Sequence, residues 1–310
     1  MKSGTITLKA GDGAEIFVYT WKPDNKKDVR GVIQIAHGMA EHAARYERFA
    51  SELVDAGFAV YAEDHRGHGK TAGSLDRVGY FADENGWQKV VDDLAMITDV
   101  MEKEYPGLPV FFFGHSMGSM LGRTYLMQHG KRLTGAILSG TAGDPGLLGK
   151  VGAFVAKREC KKKGRKNPSE LMAKLSFGKF NNAFKPARTE FDWLSRDEAE
   201  VDKYVADPYC GFVFSAGGWL DMLESLSPQF KAEGVARVPK TLPIYLFAGE
   251  KDPVGDSGKG VQAVYNLYKK AGIEDVSIKL YKNGRHEMLN ETNREEVFQD
   301  TIEWLNAHMP

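Results

Sequence analysis

Ser116 lies in Gly114-His115-Ser116-Met117-Gly118, a serine with glycine two residues before it and two after. The run Val110-Phe111-Phe112-Phe113 just upstream reads as a buried strand, and a helical pattern starts just downstream. A strand that turns into a helix this abruptly leaves no room for Cβ atoms at the flanking positions, and the serine is pushed out at the strand end. A serine hydroxyl is a poor nucleophile until an imidazole takes its proton, and the imidazole needs a carboxylate to hold its tautomer. Both partners follow in the order such a turn calls for. The strand-like run 243–248 leads into Gly249-Glu250-Lys251-Asp252-Pro253, and the run 276–281 leads into Asn283-Gly284-Arg285-His286. Ser116 is therefore read as nucleophile, Asp252 as acid and His286 as base.

Other residues compete for these roles. Asp256 is the second candidate for the acid, and Glu250 is closer to the strand but expected to point elsewhere. His115, at the variable position of the turn, is expected to point away from the Ser116 hydroxyl. His129 falls at the end of the helix after Ser116, and His308 on a terminal helix. Acyl transfer also needs donors for the oxyanion, usually backbone N–H groups. One is the amide of Met117, at the amino end of a helix. The other is expected from His37-Gly38-Met39-Ala40-Glu41-His42, where the glycine permits a bend that turns the Met39 amide inward.

The elements that must position these residues follow a simple order. Residues 3–9 and 14–21 alternate about Gly11-Asp12-Gly13 as an antiparallel hairpin. Six apolar runs then read as strands: 31–36, 58–62, 110–113, 136–138, 244–247 and 276–280. Their Val, Ile and Phe content predicts a sheet buried on both faces. Helical periodicity runs through Trp87, Val90, Val91, Leu94, Ile97 and Met101, resumes after Ser116, and returns over about 295–308. This alternation predicts an α/β fold with a mainly parallel sheet and helices on both faces. From 143 to 235 the beat is lost while aromatic residues persist, which predicts an inserted, mostly helical cap. The division is then 1–142 and 236–310 for the core and 143–235 for the cap, against the alternative of an unrelated second domain.

Composition excludes several classes. The 310 residues carry a formal net charge of −1, which argues against nucleic-acid partners. Met1–Leu8 alternates like a strand and lacks the apolar core of a signal peptide, so a cytoplasmic protein is expected. Cys160 and Cys210 are too few for a disulfide framework or zinc site. The sequon Asn290-Glu291-Thr292 carries little meaning without a secretory signal. The basic run 157–166 reads first as a solvated helix end, and alternatively as a patch for an anionic lipid surface.

Taken together, HGMAEH at 37–42, DHRGHGKT at 64–71, GHSMGS at 114–119, GEKDPVG at 249–255 and GRHE at 284–287 resemble the monoacylglycerol lipase and lysophospholipase branch of the α/β-hydrolases, often labelled serine aminopeptidase-like. The resemblance implies the same assignments: Ser116, Asp252 and His286, with Met39 and Met117 as oxyanion donors. It also implies that residues 65–69 shape a loop beneath the site. The expected activity is carboxylic ester hydrolysis through an acyl-enzyme, with no cofactor or metal, on a single-chain hydrophobic ester. An amidase or aminopeptidase of the same fold is the alternative, and a non-catalytic binder on a hydrolase scaffold a remote one.

Overall fold

The computed structural model describes residues 1–310. The hairpin forms as expected, β1 (Lys2–Lys9) against β2 (Glu15–Lys22), antiparallel from Lys2 opposite Lys22 to Lys9 opposite Glu15. Six further strands follow: β3 (Gly31–Ala36), β4 (Phe58–Glu63), β5 (Val110–His115), β6 (Gly135–Ser139), β7 (Ile244–Gly249) and β8 (Val276–Tyr281). Together they make one eight-stranded sheet in the order β1-β2-β4-β3-β5-β6-β7-β8, with β3 to β8 parallel. The principal helices are α1 (Glu47–Asp55), α2 (Gly86–Glu104), α3 (Met117–His129), α4 (Gly146–Lys163), α5 (Glu170–Phe177), α6 (Glu198–Ala206), α7 (Ala216–Ser225), α8 (Lys259–Lys270) and α9 (Arg294–Ala307).

Strand periodicity explains why both faces are covered. Successive side chains alternate sides, so Phe112, Leu138, Leu246 and Ala248 join one core with residues of α2, α3 and α8. Phe111, Phe113, Ile137 and Phe247 join the other, with Phe49 from α1 and Val297 and Phe298 from α9. The expectation of burial on both faces holds for β3 to β7 but not for β8, whose middle residues are only half-buried because it closes the sheet at one edge. The β1 strand, at the other edge, is largely exposed.

The order of strands locates the site. From β3 the chain turns to β4 on one side, then crosses over to β5 on the other, so β3 and β5 are neighbours whose connections leave in opposite directions. A crevice opens outside the carboxyl ends of the strands at such a switch point. Here those ends carry the loop beginning at His37 and the turn at Ser116. Residues between β6 and β7 form α4 to α7, and side chains from α5 and α7 reach into this crevice. No helix is long and apolar enough to cross a membrane.

Phe112 is fully buried and stacks on Tyr125 of α3, centroids 5.5 Å apart, so it ties the strand before Ser116 to the helix after it. Phe112→Ala should cost about 3–5 kcal/mol. Urea unfolding followed by tryptophan fluorescence should show the midpoint fall with little change in slope.

Candidate active site

Ser116 occupies the turn between β5 and α3 with φ 52° and ψ −117°, a conformation L residues rarely adopt. Its flanking glycines are a steric requirement. A Cβ on Gly118 would overlap the carbonyl oxygens of Ala36 and His37, and one on Gly114 would press on the backbone of Gly118 and Ser119. The turn is pinned by Ser116 N–H donating to Ser139 O at 2.9 Å and by Ser119 Oγ donating to Ser116 O at 2.6 Å.

Asp252 and His286 arrive from the ends of β7 and β8. His286 Nδ1 donates to Asp252 Oδ2 at 2.9 Å, while Asp252 Oδ1 accepts the Val254 N–H at 2.9 Å. The aspartate is fully buried and the histidine nearly so. Burial alone would depress the imidazole pKa, but the Asp252 charge and hydrogen bond, with Glu287 and Glu41 further off, push it above its ordinary value. With Nδ1 committed to a carboxylate, Nε2 keeps its lone pair and can accept a proton.

Ser116 and His286 line one cavity of about 670 Å³, together with Met39 and Met117. Its wall is mainly apolar, with Phe177, Phe212, Phe214, Trp219 and Met222 among the lining residues. Trp193 packs on the His286 ring at 5.2 Å between centroids. The backbone of the same segment holds the histidine loop, with Glu287 N–H donating to Leu194 O at 2.7 Å. The backbone amides expected from the sequence, those of Met117 and Met39, make no hydrogen bond of their own. Met117 begins α3 and has no acceptor within its own helix. The Gly38 N–H is taken by Glu41 Oε1 at 2.6 Å, whereas the amide of Met39, which lines the cavity, has no acceptor.

The competing residues lie elsewhere. Asp256 is exposed and sits 3.7 Å from Lys259, and Glu250 is exposed and accepts the Asn283 N–H at 3.1 Å. His129 packs against Tyr125, and His308 pairs with Asp275 at 3.0 Å. His115, expected to point away from the Ser116 hydroxyl, packs on the imidazole instead. It is buried against His286, ring centroids 4.7 Å apart, with Nδ1 3.3 Å from Ser139 Oγ. Burial and the nearby His286 lower its pKa to about 4, so it packs there as a neutral ring.

Sequence reasoning missed a buried ionic cluster beside the dyad. Arg45 donates to Glu41 Oε2 at 2.5 Å and to both oxygens of Glu287, at 2.8 and 2.7 Å. Burial raises the pKa of Glu287, but the charge and hydrogen bonds of Arg45 outweigh it and bring it to about 2. Both glutamates stand inside quoted motifs; Glu41 lies four residues before Arg45, but nothing in the sequence brings Glu287 to that arginine. Arg45 bonds both carboxylates and offsets one of their two charges.

This sheet, turn and carboxylate–imidazole pair define an α/β-hydrolase. The family described as "Serine aminopeptidase, S33" matches residues 27–293, and the chain belongs to it. Among relatives, a monoacylglycerol lipase of Mycolicibacterium smegmatis is 29% identical over 304 residues, covering 97% of this chain and 96% of its own. The monoglyceride lipase of Homo sapiens is 29% identical over 305 residues, covering 96% and 89%. A carboxyl esterase from Bacillus coagulans, solved in complex with glycerol, superposes with a TM-score of 0.91 at 31% identity over 99% of both chains. The protein is a serine ester hydrolase.

The raised pKa of His286 is open to direct measurement. An NMR titration should show its ring protonating above the ordinary histidine value of about 6.5. Asp252→Asn should move the midpoint downward, and Asp256→Asn should leave it in place. The reverse ranking would reassign the carboxylate.

Proposed function

We propose that the chain cleaves single-chain hydrophobic esters, monoacylglycerols or lysophospholipids, through an acyl-enzyme on Ser116. The observation that carries this reading is that His286, hydrogen-bonded to the buried Asp252, lines one largely apolar cavity with the strained Ser116. His286 Nε2 takes the Ser116 proton as Oγ attacks the ester carbonyl. The oxyanion forms against the Met39 and Met117 amides, and His286 returns the proton to the leaving alcohol. Water, deprotonated in turn by His286, then releases the acid. No step calls for a metal or cofactor.

Residues 143–235 act as a cap that supplies most of the apolar wall. Two features favour an ester over the amine-bearing substrate that the family's title suggests. The wall gains about 0.8 kcal/mol for each methylene it sequesters, and the acidic residues nearest the imidazole after Asp252, Glu41 and Glu287, are both engaged by Arg45. The rim carboxylate Glu190 is exposed to solvent. We also place the protein in the cytoplasm, where Cys160 and Cys210 would remain thiols.

The basic run takes on meaning through its helix. Lys163, Arg165 and Lys166 pair with Glu170, Asp221 and Asp83, whereas Lys157, Arg158, Lys161 and Lys162 make no ion pair. On the same helix Leu147, Leu148, Val151 and Phe154 are exposed, Leu148 by 82%, and Leu171 and Leu175 of α5 are exposed as well. Apolar side chains at helical spacing followed by four free cations fit an anionic lipid surface, each cation contributing about 1 kcal/mol.

Substrate class is tested by a chain-length series beside an aminoacyl-naphthylamide panel, with Ser116→Ala as the inactive reference. kcat/KM should rise from acetate through at least medium acyl chains, with little release from the amides. A flat or falling series with brisk amide cleavage would favour the aminopeptidase. For the surface, Leu148→Glu with Phe154→Glu should lower turnover of a monoester presented in phosphatidylglycerol vesicles. Turnover of a water-soluble ester should stay unchanged.

A further inference from the structure

The loop that carries the Met39 amide lies over a buried group of three histidines, His37, His65 and His68, none of which has a part in the reaction above. His37 and His65 pack with ring centroids 4.0 Å apart and planes tilted by 34°, and all three are buried. Their hydrogen bonds fix the protonation state of His37. The backbone N–H of His65 points at His37 Nε2 at 3.0 Å, and an amide can only donate, so Nε2 carries a lone pair. His37 Nδ1 lies 2.7 Å from the carbonyl oxygen of Gly38, which can only accept, so Nδ1 carries the proton. His37 is thus neutral and protonated on Nδ1. Burial and the neighbouring histidines, which hold its pKa well below the ordinary value, agree with that state.

The peptide that receives this proton matters. Gly38 C=O and Met39 N–H belong to one trans peptide unit, in which carbonyl and amide point in opposite directions. The preceding unit is held at both ends, with His65 Nε2 donating to His37 O at 3.0 Å and Gly38 N–H donating to Glu41 Oε1 at 2.6 Å. The unit from Gly38 to Met39 is held at its carbonyl end alone, by His37. Its amide is left facing away from the buried ring, and Met39 lines the cavity. A hydrogen bond into the carbonyl also polarises the peptide and strengthens its N–H as a donor.

We propose that His37 is a positioning residue for catalysis: through its Nδ1 proton it orients and polarises the Gly38–Met39 peptide so that the Met39 amide is aimed at the oxyanion. This inference rests on the reading of Met39 as an oxyanion donor. Two near-isosteric changes separate the roles of the two ring nitrogens. The Asn side-chain amide can occupy the place of Nδ1 and keep the donor to Gly38, whereas Gln can reach the place of Nε2 and accept from His65 without reaching Gly38. His37→Gln should lower kcat about 10²-fold with KM held within about twofold. Its affinity for a trifluoromethyl ketone, which forms a tetrahedral oxyanion on the serine, should fall in step. His37→Asn should stay within about fivefold of wild type, which a purely structural role would not produce. Equal losses in the two variants, or full activity in a folded His37→Gln, would overturn the proposal. In the latter case Met39→Pro shows which premise failed. Its inactivity would leave the Met39 reading standing without His37, and its activity would remove the donor as well. A measurement on the unaltered protein covers the case in which a variant does not fold. ¹⁵N histidine spectra should show the His37 ring as the neutral, Nδ1-protonated tautomer from pH 5 to 9, and an Nε2-protonated or charged ring would refute the assignment.

Discussion

The backbone at Ser116 is strained, and the surrounding architecture has to hold it there. A residue kept at positive φ in this way costs about 1–3 kcal/mol, so the turn persists only where neighbours over-determine it. The β5 strand delivers the serine between β3 and β6, and the Ser139 carbonyl of β6 takes its N–H. The start of α3 then crosses so close to the end of β3 that only glycine fits at 118. That proximity serves two purposes. It closes the strained turn, and it brings the first amide of α3 beside the loop that carries Met39. The paired core on both faces of the sheet keeps this crossing from relaxing, since Phe112 stacks on α3 from below.

The loops at the carboxyl ends of the strands are bound to one another mostly through backbone groups. Ala40, itself at φ 55°, offers its carbonyl to both Tyr204 Oη at 2.8 Å and Gly211 N–H at 2.9 Å. His42 Nε2 meets Asp207 Oδ2 at 2.9 Å. The segment 193–194 holds the loop of His286, and Arg45 joins the loop after β3 to the residue after His286. Residues between β6 and β7 therefore do more than wall the cavity. They brace both the donor loop and the imidazole loop, so a change of posture in that segment would be felt at both ends of the reaction.

How much of this could be read from the chain alone follows from the physics of each part. Strands β3 to β7 were legible because burial on both faces demands continuous apolar runs. Ser116, Asp252 and His286 were legible because a sharp turn requires glycines at fixed offsets and strand ends leave characteristic loops. Asp256, the second candidate for the acid, faces solvent beside Lys259, while Asp252 meets the imidazole. That β8, itself legible as a strand, would be half-exposed was missed because edge position depends on strand order, which composition does not encode. The Glu41–Arg45–Glu287 cluster and the packing of His115 against His286 were also invisible. Residues 45 and 287 are far apart in sequence, and no local periodicity reports that Arg45 will bridge its near neighbour Glu41 to Glu287.

The ionisable groups packed around the imidazole divide its surroundings by charge. On the β7 side Asp252 presents a carboxylate that favours the charged form of the His286 ring. Glu287 and Glu41 add to that field, but Arg45 between them keeps their combined charge from overwhelming it. His115 touches the same ring and is held neutral by burial, so it fills space without opposing the charge His286 must acquire. Beneath the donor loop, His37 is likewise kept uncharged, with each nitrogen committed to a backbone partner. A mobile proton thus has one histidine to visit at the reacting end of the cavity. The other two rings, held neutral by burial, serve as fixed dipoles and packing, a division that three identical side chains (His37, His115 and His286) reach through differing burial and partners.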